Sequence, residues 1–262
     1  GGARKRAACE RCLRPTRVCV CTALPKPDER ISLNTRIIVV QHPCECRKQI
    51  IGTVPLVKLV LNEESCSVLV TRDLGSSAQI RMRADGTPPV RLKGCWAKHN
   101  TECLADDPIL KKALWEDNTM VLFPGGGAVD IETISPSELD DGRQRNLIVV
   151  DGTWRQAGRV MRDLECLRRA VEERRVRCVQ FARGGSSAYM FRREPREYCL
   201  STLESIAYAL RFLEPNAEGA RAERFLTDTF RYMVRLQMGH IETGREEIRE
   251  KNEKDRRISH ED

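Results

Sequence analysis

The chain has 262 residues, 40% of them hydrophobic and 32% charged. That length supports one large α/β domain, or a domain with a small appendage, and no run of about 18 apolar residues is present, which excludes a membrane-spanning helix. Lysine and arginine number 45 against 38 aspartates and glutamates, a net charge of +7 that favours an anionic partner such as nucleic acid without requiring one. The opening GGARKRAAC is basic and has no apolar signal segment, so the twelve cysteines read as reduced thiols of an intracellular protein. Cytoplasm, nucleus and an organelle stay open, and the sequence sets no oligomeric state.

In chain order, residues 1–30 are rich in Cys, Pro and charge and read as a small knuckle followed by a linker, LPKPDER. Short apolar runs then alternate with helical patterns over 31–243. TRIIVVQ (35–41) is a predicted buried strand, and TVPLVKLVLNE (53–63) a helix with Pro55 in its first turn. CSVLVTR (66–72) is a second strand, and 75–105, with its glycines and prolines, an irregular stretch. DDPILKKALWED (106–117) is a helix capped by Asp106 or Asp107. TMVLFPGGG (119–127) is a strand entering a Gly-rich turn, and ISPSELDD one helical turn. NLIVV (146–150) is a strand, followed by DGTW and a helix; VRCVQF (176–181) is another strand. STLESIAYALRFLE (201–214) and AERFLTDTFRYMVRLQMG (222–239) are helices, and the charged 244–262 is a solvated helix or a disordered tail. Strands alternating with helices imply a mostly parallel sheet with helices on both faces, where ligands sit at the carboxyl ends of the strands.

The chemistry-bearing residues cluster in four places. Cys9, Cys12, Cys19 and Cys21 put four thiols within thirteen residues, the spacing of a closed structural zinc site, with free thiols or two disulfides as alternatives. With little apolar sequence nearby, a metal is expected to hold this segment. Thr153 with Gln156, and Ser201 with Glu204, fit capping boxes. Asp151 is left over by the capping pattern: it follows a strand directly and is placed to face a crevice, with Gly152 allowing close approach of a ligand and Trp154 a flat stacking surface. Three glycines in FPGGG leave backbone N–H groups free for a ligand, or form a plain turn. His42 is a ligand contact, a base or a turn residue. Arg155, Arg159 and Arg162 recur at helical spacing opposite the buried face formed by Ala157, Val160, Met161, Leu164 and Leu167, and Arg192, Arg193 and Arg196 precede STLES, two basic stretches suited to phosphate.

Together, CERCLRPTRVCVC, QHPCE, TVPL, LFPGGGA, DGTWRQA and YCLSTLESIAYAL resemble the DTW-domain family over most of the chain, and its eukaryotic branch in particular. The resemblance implies a tRNA-uridine aminocarboxypropyltransferase that moves the 3-amino-3-carboxypropyl arm of S-adenosylmethionine to N3 of a tRNA uridine and releases 5′-methylthioadenosine. It implies a SPOUT-like α/β fold with a C-terminal trefoil knot around the cofactor, plus the zinc knuckle. By that analogy the cofactor contacts come from Phe123, Pro124, Gly125 and Gly126, from Asp151, Gly152, Thr153 and Trp154, and from Leu200, Ser201, Thr202 and Glu204. RNA contacts are then expected from His42, Arg155, Arg159, Arg162, Arg192 and Arg193. Uracil N3 must lose a proton to act as a nucleophile, which nominates Asp151 as the base, with electrostatic stabilisation of the sulfonium as its competing role. A SPOUT-type RNA methyltransferase and a zinc-bearing RNA-binding protein without catalysis are the competing readings.

Overall fold

A computed structural model describes residues 7–42, 45, 52–70, 104, 107–139, 142–182 and 200–258. Six strands form its sheet: β1 (Thr35–Gln41), β2 (Cys66–Val70), β3 (Thr119–Leu122), β4 (Val129–Asp130), β5 (Arg145–Asp151) and β6 (Arg177–Gln180). The order is β2-β1-β5-β3-β6-β4, and every pairing is parallel. The central strands are apolar at consecutive positions because both faces are covered. Ile37, Val39, Leu147 and Val149 enter one core, while Ile38, Val40 and Ile148 enter the other. That split follows directly from the two-residue alternation of a strand.

Helices α1 (Val54–Val60), α6 (Thr202–Leu213) and α7 (Ala217–Ile258) supply the first core, and α2 (Pro108–Ala113), α4 (Trp154–Asp163) and α5 (Glu165–Glu172) the second. The single turn expected in ISPSELDD is α3 (Pro136–Leu139). Asp107 caps α2, its carboxylate accepting from the N–H groups of Ile109 and Leu110 at 2.9 and 3.1 Å. The mostly parallel α/β architecture is thus as expected. Most of 75–105, where an irregular stretch was expected, lies outside the described residues.

Three details depart from the sequence reading. The helix after DGTW breaks at Leu164, whose ψ of 89° leaves the helical range and separates α4 from α5, yet Leu164 and Leu167 stay buried on the shared face. Helix α7 runs unbroken for 42 residues, across residue 243 and into the charged segment, which takes the helical alternative. The knuckle does not lack a core. Cys12, Val20 and Leu24 are buried in the same cluster as the sheet and α7, and Thr229 of α7 donates to the Ala23 carbonyl at 2.7 Å.

The chain leaves β1 through α1 toward β2 on one side and leaves β5 through α4 and α5 toward β6 on the other. These adjacent strands therefore send their connections in opposite directions, on opposite faces. Such a switch point opens a crevice between the carboxyl ends of the two strands. Those ends are Gln41 and Asp151, which lie opposite each other in the β1–β5 register. Among the described residues no helix is long and apolar enough to cross a membrane.

Candidate functional site

Asp151 is the last residue of β5 and is 8% exposed. Both of its carboxylate oxygens are engaged. Gln41 Nε2 donates to Oδ2 at 2.8 Å, and the Thr202 hydroxyl donates to Oδ1 at 2.5 Å. The His42 backbone N–H donates to the Asp151 carbonyl at 2.9 Å, carrying the strand pairing one residue further. One carboxylate thus joins β1, β5 and the first turn of α6. These two hydrogen bonds come from neutral donors, an amide and a hydroxyl.

The neighbouring backbone is set by the two capping boxes. Thr153 N–H donates to Gln156 Oε1 at 2.7 Å and Gln156 N–H to the Thr153 hydroxyl at 3.4 Å, which starts α4. Ser201 N–H donates to Glu204 Oε2 at 2.8 Å and Glu204 N–H to the Ser201 hydroxyl at 3.3 Å, which starts α6. Thr153, Ser201 and Glu204 therefore shape the two helix starts that flank Asp151, and Leu200 is the half-buried residue before the second cap. Gly152 has a reason internal to the fold. A Cβ there would stand 3.0 Å from Gln156 Cβ and 3.3 Å from His42 Cβ, so a side chain would crowd the start of α4. His42 itself is buried, 7% exposed.

The FPGGG loop faces this site through its aromatic residue. The rings of Phe123 and Trp154 lie 6.4 Å apart, tilted by 51°. Trp154 remains 47% exposed, a large flat surface at the mouth of the crevice. Gly127, with φ +85°, is the residue whose backbone needs glycine: Ala128 N–H donates to the Gly125 carbonyl at 3.1 Å and closes a turn with Gly127 in its left-handed position. Pro124, Gly125 and Gly126 are exposed, and a Cβ on either glycine would meet nothing within 4 Å. Their backbone is open to a ligand, with no crowding that would forbid a side chain.

On α4, Arg155, Arg159 and Arg162 are all exposed. Arg162 is committed to its neighbour, with Nε 2.7 Å and Nη2 3.1 Å from the Asp163 carboxylate. Arg192 and Arg193 lie outside the described residues. Gln41 was absent from the residues expected at the site. It ends an apolar run and opens QHPCE, but its partner lies 110 residues further along the chain, with three strands between them.

The knuckle is a second site. Its turn is closed by Leu13 N–H to the Cys9 carbonyl at 2.9 Å and Cys9 N–H to the Arg14 carbonyl at 2.8 Å, with Leu13 held left-handed at φ 56°. The sulfurs of Cys9, Cys12, Cys19 and Cys21 all lie within 4.8 Å of one another, with Cys9–Cys21 at 3.5 Å and Cys12–Cys19 at 3.7 Å. Four thiolates at about 2.3 Å from one zinc would be about 3.8 Å apart, so the cluster fits a tetrahedral ion. The four are free thiols and not disulfides. They are unequal: the backbone N–H groups of Cys12 and Arg11 pull the Cys9 thiol down to about 6, while burial and the neighbouring sulfurs push Cys21 up. Several thiolates at such distances repel, and a divalent cation at their centre removes that repulsion.

A family model described as DTW domain matches residues 6–238. A protein of Macaca fascicularis named tRNA-uridine aminocarboxypropyltransferase 2 is 30% identical over 220 residues, 82% of this chain and 59% of that protein. Its namesake in Drosophila melanogaster is 30% identical over 214 residues, 82% of this chain and 69% of the fly protein. In Arabidopsis thaliana, tRNA-uridine aminocarboxypropyltransferase A is 27% identical over 256 residues, 90% of this chain and 83% of the plant protein. The chain thus spans somewhat over half the length of the macaque relative, at 59%. No solved structure matches it significantly. The match from the cysteine knuckle through the strand-end loops to α7 establishes that the chain belongs to the DTW domain family.

Proposed function

We propose that the chain is a tRNA-uridine aminocarboxypropyltransferase that uses S-adenosylmethionine to alkylate N3 of a tRNA uridine. The observation that carries this reading is Asp151, a buried carboxylate held at two points in the switch-point crevice, beside the half-exposed indole of Trp154. The names of the family relatives supply the reaction class. The residues fit the cofactor's chemistry: an anion for its sulfonium, an aromatic face for its adenine and an open loop at Pro124–Gly126 for hydrogen bonding. When bound, S-adenosylmethionine supplies a carbon activated by a sulfonium leaving group.

In this reaction N3 forms a bond to the γ-carbon as the carbon–sulfur bond breaks. The electron pair stays on sulfur, 5′-methylthioadenosine leaves, and the N3 proton passes to a base. Asp151 can serve as that base or as the counter-charge to the sulfonium. The hydrogen bonds from Gln41 and Thr202 occupy both of its oxygens, which favours the counter-charge role over proton acceptance. Much of the acceleration then comes from alignment of N3, carbon and sulfur.

Phosphate contacts are assigned to the exposed Arg155 and Arg159 of α4, which begins beside Asp151, with Arg162, Arg192 and Arg193 joining them on sequence grounds. His42 would line the pocket that receives the base. Thr202 opens α6 next to the end of β5 although the chain has by then passed through β6, and this return supports reading α6 as part of a SPOUT-type knot. The knuckle is read as a structural zinc site, and the tRNA substrate is consistent with a cytoplasmic or nuclear enzyme.

The test compares the wild-type chain with Asp151→Asn. Affinity for S-adenosylmethionine is measured by calorimetry and release of 5′-methylthioadenosine by chromatography, with tRNA present. The expected result is tRNA-dependent release by the wild type, with both affinity and turnover lost in the variant. Loss of turnover with affinity intact would reassign Asp151 as the base. Release of S-adenosylhomocysteine instead would overturn the aminocarboxypropyl reading.

A further inference from the structure

We propose that Gln41 is a positioning residue for Asp151: with the Thr202 hydroxyl, its side-chain amide holds the carboxylate in one orientation at the mouth of the crevice. The inference rests on the transferase reading above. Three observations carry it.

The first is register. Gln41 and Asp151 are directly paired residues at the carboxyl ends of adjacent parallel strands, so both side chains leave the sheet toward the same side. The second is the chemistry of the contact. An ionised carboxylate only accepts, so the amide must present its NH2 end, and the 2.8 Å contact fixes which way the glutamine points. The third is burial. Gln41 and Asp151 are each 8% exposed, so water does not readily replace the bond if it is lost.

The two donors act on different oxygens from different elements. Gln41 takes Oδ2 from β1, and Thr202 takes Oδ1 from α6. Donors on opposite oxygens, from two different elements, resist rotation of the carboxyl group about its Cβ–Cγ bond. Gln41 does not need to touch the substrate to do this. A shorter or apolar residue would fill the strand end but withdraw the donor to Oδ2. A glutamate would set a second carboxylate where the donor belongs, and two carboxylates at that distance cannot both stay ionised at low cost.

The experiment is a double-mutant cycle read by melting temperature at pH 8, with turnover measured alongside. Gln41→Glu is made in the wild-type chain and in Asp151→Asn. In the wild type it should lower the melting temperature by several degrees, because carboxylate meets carboxylate. In the Asp151→Asn chain the amide of residue 151 can donate to the new glutamate, and the same substitution should have little effect. Gln41→Leu should reduce tRNA-dependent release of 5′-methylthioadenosine about 10- to 100-fold, as loss of an orienting partner does elsewhere. Equal melting shifts in the two backgrounds, or full turnover by Gln41→Leu, would overturn the positioning role while an active wild type leaves the transferase reading intact. A wild type that releases no 5′-methylthioadenosine overturns the transferase reading itself, and the positioning role with it.

Discussion

Glu214 and Gly219 form the corner that joins the last two helices to the sheet. Glu214 is 3% exposed and accepts from the Thr35 backbone N–H at the start of β1 and from Asn216 Nδ2 at 2.9 Å. A Cβ on Gly219 would stand 2.0 Å from the Glu214 carbonyl oxygen, so the backbone itself occupies that space. Gly219→Ala should therefore destabilise the chain by about 1–3 kcal/mol or more, measured by urea unfolding. Cys66 gives a pH signature. Burial pushes its thiol up to about 12 from an ordinary 9.0. The folded chain then keeps a proton that the unfolded chain releases, so this contribution is complete below pH 9 and is lost as pH rises toward 12. Unfolding at pH 8 and pH 10 should show a smaller alkaline loss in Cys66→Ala than in the wild type. At this scale the sequence was legible where one residue broke a local pattern. Asp151 stood out because it ended an apolar run and no cap needed it. Gln41 ended an apolar run too, but its meaning depends on a partner 110 residues away in the chain. The glycines were harder still: Gly127 is the one under conformational demand in FPGGG, and only a turn geometry distinguishes it from its neighbours.

Among the elements, the strands and caps were the most legible. TRIIVVQ coincides with β1 because a strand buried on both faces must be apolar throughout. Both capping boxes form, because their hydrogen bonds are local and need no tertiary partner. Ser201→Ala removes the acceptor for the Glu204 N–H and should cost about 1 kcal/mol. The α6 cap also sets Thr202 against Asp151, so this variant should lose turnover beyond what its loss of stability explains. The break between α4 and α5 left no mark in the apolar spacing, since Val160 before it, Leu164 at it and Leu167 after it are all buried. The length of α7 was equally hidden: its later part lacks an apolar stripe, yet Glu, Arg and Lys are good helix formers and continue the helix already packed on the core.

For the whole molecule, alternation of strands and helices was enough to expect a parallel α/β sheet. The strand order was not, because pairing β5 between β1 and β3 is decided by contacts distant in sequence. That order is what creates the crevice. The knuckle is likewise tied to the rest of the fold, since Val20 and Leu24 enter the main core and α7 bonds to Ala23. Purified chain should hold about one zinc per molecule by elemental mass spectrometry, as four thiolates complete a single coordination shell. Cys12→Ser should lose that ion and lower the melting temperature of the entire domain, not of the knuckle alone. An unmetallated chain with an unchanged melting temperature would contradict this. Incubating unmodified tRNA with the chain and S-adenosylmethionine and weighing the nucleosides tests the transferase assignment. A uridine heavier by one 3-amino-3-carboxypropyl group, formed in step with 5′-methylthioadenosine, is the expected product; a methylated nucleoside, or tRNA that is bound but unchanged across several species, would contradict the assignment.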